Sequence, residues 1–140
     1  MFLEIIGKEI IVETTKAILH ILTDLEDHED PYVNDTMEEL DIINRIQIIQ
    51  SLIKTPITIN NSTEMLKTTI NMCCSNLQEI INKIRKELET IHQLVIAHKE
   101  KWFHHWREPD YHKNIENVKK YNKIMDGRFK LFLNILKTYH

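Results

Sequence analysis

Two glycines and three prolines in 140 residues leave little material for turns, so few turns are expected. Cysteine is as scarce. Cys73 and Cys74 stand side by side in a periodic segment, where adjacent helical side chains diverge and an ordinary bridge cannot form. Two such thiols assemble neither a disulfide framework nor a thiolate zinc site within one chain, and reduced thiols suit a cytosolic, nuclear or intravirion setting. No glycine-rich phosphate loop is present, and neither Cys74 nor any serine has a sequence context that positions a base. The chain is therefore expected not to be an enzyme, and to use no cofactor and no small-molecule substrate. Long apolar runs are missing too. Glu4, Lys8, Glu9, Glu13 and Lys16 interrupt the apolar stretch 1–25 at every turn, so it is expected neither to span a bilayer nor to act as an export signal.

What the chain has in abundance is isoleucine, 23 residues of it, beside 14 lysines, 11 asparagines and only two alanines. That bias fits an AT-rich coding sequence, as in low-GC bacteria, protists and large DNA viruses. Isoleucine favours sheets, but these residues recur at helical spacing and do not alternate. Leu66, Ile70, Cys73, Leu77, Ile80 and Ile84 step by four and three, the seam of a coiled coil. No proline or glycine falls between Pro56 and Pro109, so one helix over about 61–106 is expected, opened by Asn61 with Glu64 at capping-box spacing. The successive fours at Ile80, Ile84 and Leu88 form a stutter that straightens the supercoil locally.

Three shorter helices are expected around it, over about 2–25, 36–54 and 111–139. In the first, Leu3, Ile6, Ile10, Ala17 and Ile21 mark one side, widened by Ile11, Ile18, Leu22 and Leu25. Thr36 with Glu39 has capping-box spacing for the second, and Thr55-Pro56 stops it. In the last, Tyr111, Ile115, Val118, Asn122, Met125, Phe129, Phe132 and Leu136 form the seam, with lysines along the outside. The intervening run 26–35 carries five acids and Pro31 and reads as a solvated linker; it lacks the glycine and ligand spacing of a calcium loop. The fold class is thus all-α: one domain over 1–140, an elongated antiparallel helical bundle or coiled coil built on the long helix. The second helix is expected along its first half, the last along its second half, and the first over the middle.

Charge is uneven: residues 1–61 carry net -8, 62–98 balance, and 99–140 carry net +5. Neighbouring acidic and basic helices would attract each other, and a basic surface for nucleic acid or lipid is the competing explanation. Lys119, Lys120, Lys123, Lys130 and Lys137 form the candidate basic face. Its helix keeps its aromatics on the core side, which disfavours a base-stacking platform. The candidate partner interface is Trp102, Phe103, Trp106 and Arg107, an aromatic and cationic cluster of the kind that concentrates binding energy, together with Asn122, a polar side chain in an apolar seam that a second copy could pair. The same cluster read as a lipid anchor is less favoured, so a membrane surface is not an expected partner.

Transition-metal binding is weighed at two further places and expected at neither. His98 and His105 lie about 10 Å apart along one helix face, too far to share an ion, although His105, Asp110 and His112 could meet across a turn. Glu89 and His92 have di-iron spacing, but no second copy of the motif exists. The reading is a non-enzymatic structural or adaptor protein working through helix–helix contacts, as a homo-oligomer or a subunit of a larger complex such as a virion component. A basic-helix nucleic-acid-associated protein and a metal-binding bundle are the alternatives.

Overall fold

The computed structural model describes residues 2–58, 63–100 and 110–139. The order of elements is β1 (Phe2–Leu3), α1 (Lys8–Asp27), α2 (Pro31–Glu39), α3 (Ile42–Lys54), β2 (Ile57–Thr58), α4 (Glu64–Glu100) and α5 (His112–Tyr139). The class is all-α, as the apolar periodicity implies. The strands add a minimal antiparallel ribbon, Phe2 opposite Thr58 and Leu3 opposite Ile57, which ties the start of the chain to the exit of α3.

α4 is the shared wall. Its 37 residues span about 55 Å at ~1.5 Å per residue. Every position of the expected seam from Leu66 through Ile84, and on to Leu88, Ile91 and Val95, is buried. Cys74 and Ile81 are buried as well, which broadens the stripe because α4 packs against two helices. Its two edges carry different polar partners. Toward α1, Asn71 Oδ1 accepts from the backbone N–H of Ile6 at 3.0 Å, and Gln78 donates to the Thr14 hydroxyl at 3.3 Å. Toward α5, Arg128 donates to the Asn76 carbonyl at 2.6 Å, the Lys83 ammonium stands over the Tyr121 ring, and Asn114 and Asn117 both donate to Glu87, at 2.8 and 3.2 Å.

These pairs fix the directions. Numbers rise together along α1 and α4, so the two are parallel; they run oppositely along α4 and α5, so that pair is an antiparallel hairpin. α3 lies antiparallel on α1, where Gln50 donates to the Thr15 hydroxyl at 3.1 Å. It reaches α5 through Arg45 and Asp126 at 2.5 Å. The order around the bundle is α3, α1, α4, α5. This corrects the expected arrangement. The helix before Pro56 lies on α1 and not on the long helix, and α5 spans from Glu87 to Asn76 of α4 and beyond, while α1 does cover the middle of α4, from Asn71 to His92, but parallel to it. Parallel neighbours arise because α1 and α4 are not consecutive, so no short turn forces them to oppose.

Four boundaries differ from the periodicity. Residues 2 and 3 are strand, and Gly7, at φ 78°, starts α1 in a backbone conformation that other residues adopt at a cost. The α1 core consists of Ile11, Ile18, Ile21, Leu22 and Leu25, while Ile6 and Ile10 are exposed. Pro31 does not end a helix; it opens α2, since its missing N–H is one that the first turn leaves unpaired, and Asp30 caps that turn by accepting from Val33 N–H at 3.1 Å. Most of the acidic run is therefore helical. The capping box at Thr36 does not form, because Thr36 is inside α2 with its hydroxyl donating to the Tyr32 carbonyl. The expected 36–54 helix breaks at Asp41, φ 52°. At the long helix, Thr63 is the visible cap, accepting from Leu66 N–H at 3.1 Å. Asn61, the expected opener, and the stretch 101–106 lie outside the described residues.

Candidate functional site

Of the expected partner interface, Trp102, Phe103, Trp106 and Arg107 lie outside the described residues, as does His105 of the suggested turn cluster. Asn122 is in its expected seam on α5 and only 6% exposed. It is thus enclosed by the chain's own core and not presented on a free face, and among the described residues its Oδ1 accepts no hydrogen bond. On the basic face, Lys120, Lys123, Lys130 and Lys137 are exposed and Lys119 is half-buried. Among the described residues the ion pairs made by this row are local: Lys119 with Glu116 at 3.4 Å and Lys130 with Asp126 at 2.9 Å.

The thiols are sealed. Burial pushes Cys73 up from its ordinary value, and burial together with neighbouring Cys73 pushes Cys74 up to about 12. Both are therefore held in the protonated thiol form near neutrality, the form that is the poorer nucleophile.

A polar cluster the sequence did not flag lies where the last turn of α1 meets α4. Asp24 and His28 are one helical turn apart on α1, and His92 projects from α4. Asp24 Oδ2 is in hydrogen-bond contact with His92 Nε2 and is 3.4 Å from His28 Nε2. The two imidazoles meet edge to face, with ring centroids 5.9 Å apart. One donor atom from each of the three residues lies within 4.8 Å of the others, and all three side chains are half-buried. The hydrogen bond with His92 holds the Asp24 carboxyl below its usual range against the opposing effect of burial, and the charges of His92, His28 and His20 add to the lowering. A carboxylate and two imidazoles are ligands of borderline metal ions. The signal available beforehand was Asp24 and His28 at i, i+4. The third member, 64 positions beyond His28, comes from packing alone.

Apolar exposure collects elsewhere. Met65 and Met72, two helical turns apart on α4, are 79% and 60% exposed, and Ile6 is 78% exposed. Ile6 and Met72 share a groove of about 670 Å³ with Glu4, Lys67 and Asn71. Ile43 and Ile48 of α3 are also exposed, on different sides of that helix. No described helix is long and apolar enough to cross a membrane.

No known protein-family profile matches the chain, and no solved structure matches it. It is similar to an uncharacterized protein of Acanthamoeba polyphaga mimivirus, with 27% identity over 144 residues, covering 86% of this chain and 70% of the relative.

Proposed function

We propose that this chain is a non-enzymatic structural or adaptor protein of a large DNA virus, working inside the infected cell or the virion through helix–helix contacts with further copies of itself. The observation that carries this reading is apolar exposure where α4 begins: Ile6 and Met72 line one groove, and Met65, two turns from Met72 on α4, is also left in water. Charge supports a second copy as the occupant. Among the described residues the lysine row of α5 makes no ion pair with the acidic segment around α2, which leaves the two able to complement each other between copies. Similarity to a mimivirus protein supports the viral setting, as does the lysine- and asparagine-rich composition.

Equilibrium sedimentation at micromolar concentration tests the proposal. The wild type is expected to sediment as a dimer or larger. The double variant Met65→Glu, Met72→Glu, altered at two exposed sites, is expected to sediment as a monomer with an unchanged helical circular dichroism spectrum. A monomeric wild type with a cooperative melt overturns self-association. Exposure of Lys120, Lys123, Lys130 and Lys137 favours nucleic acid as the second reading, and duplex binding that falls steeply with salt would move the assignment there.

A further inference from the structure

The geometry points to a divalent transition-metal site formed by Asp24, His28 and His92, with zinc the appropriate probe, that clips the end of α1 to α4. Three donor atoms no more than 4.8 Å apart share a point within about 2.8 Å of each, some 0.7 Å beyond the ~2.0–2.1 Å bonds of zinc to imidazole and carboxylate. Small rotations of three half-buried side chains close that gap. The separation of 3.4 Å between His28 Nε2 and Asp24 Oδ2 already equals the ligand-to-ligand edge of a zinc tetrahedron, about 3.4 Å for bonds of that length. On the other edge, Asp24 and His92 are in hydrogen-bond contact and must move apart to admit the ion between them.

The surroundings favour a cation. Asp24 is in the last turn of α1 and His28 caps it, so the negative end of the helix dipole faces the site. Glu26, Asp27, Glu29 and Asp30 follow in the chain and deepen the local negative potential. Two imidazoles and one carboxylate suit zinc, cobalt or nickel better than calcium or magnesium, which take oxygen donors. Three protein donors leave one tetrahedral position for water or an incoming ligand. Unlike a lone surface histidine, the donors come from two helices, so the ion would bind only the folded chain and stabilise it.

Calorimetric titration of chelator-treated, full-length protein with zinc chloride, paired with imidazole NMR of the same sample, tests the site. The expected result is one zinc per chain, with His28 and His92 as the perturbed rings and a melting temperature that rises with zinc concentration. His92→Gln and Asp24→Asn are each expected to weaken binding by more than the 10- to 100-fold typical of losing an outer-shell partner. No saturable binding by wild type overturns the proposal. So does saturable binding in which other histidine rings are perturbed while those of His28 and His92 stay unmoved. The ring assignment is read on wild type, so it stands even where a variant fails to fold.

Discussion

Asn122 and the two ion-paired aspartates show what single residues contribute. The Asn122 amide is buried with its oxygen unpaired among the described residues, and leaving such a group unmatched costs on the order of 1–3 kcal/mol. Asn122→Leu, similar in size, is therefore expected to stabilise the monomer fold by about 1 kcal/mol, read as a higher denaturant midpoint at unchanged slope. A lower midpoint would mean that the amide has a partner that matters. The carboxyls of Asp24 and Asp126 both titrate below their usual range, Asp24 through its hydrogen bond with His92 and Asp126 through that with Lys130, assisted by Arg45. A depressed native value gives stability that is present above the unfolded value and lost as pH falls through the native one. In chelator-containing buffer, melting temperature is expected to fall as pH drops below about 4, and less steeply in the Asp24→Asn, Asp126→Asn double variant. Equal slopes in the two proteins would contradict that assignment. The seam residues of α4 were legible beforehand because burial on one helix face imposes a period. The Asp24–His28–His92 cluster was not, because its third member depends on which helix becomes α1's neighbour.

Among the elements, helix interiors were readable and helix ends were not. Pro31 carries two opposite signals, breaker inside a helix and starter at its first position, and only the cap made by Asp30 decides between them. Asp41 is of a residue type that tolerates positive φ, but the apolar pattern runs through it and gives no sign of the break. Asp30 also accepts from the Tyr111 hydroxyl at 2.9 Å, tying the start of α2 to the residue just before α5. Tyr32 stacks on Tyr111 at 6.0 Å between centroids. Asp30→Ala removes cap and tie together and is expected to lower stability by about 1–2 kcal/mol in chemical denaturation. Asp30→Asn, which keeps capping ability, is expected to lose less. An alanine variant as stable as wild type would show that neither contact matters. Deeper in the bundle, Ile84→Ala removes a fully buried side chain from α4 and is expected to cost about 2–5 kcal/mol by the same measurement.

For the whole molecule, sequence period gave the all-α class and the dominance of one long helix, and it gave nothing about neighbours that are distant in sequence. Both functional inferences depend on one such pairing. Ile6 beside Asn71 builds the groove that Met72 also lines, and Asp24 beside His92 builds the candidate metal triad. Each requires α1 to lie parallel to α4. Paired spin labels measure this directly, using the exposed positions Glu9, Thr68 and Gln93, with Cys73 and Cys74 buried and left in place. The label pair at 9 and 68 is expected to be close. The pair at 9 and 93 is expected to be separated by most of the ~38 Å that 25 helical residues span. A long distance for the first pair and a short one for the second would reverse α1 on α4, and the shared basis of both inferences would be gone.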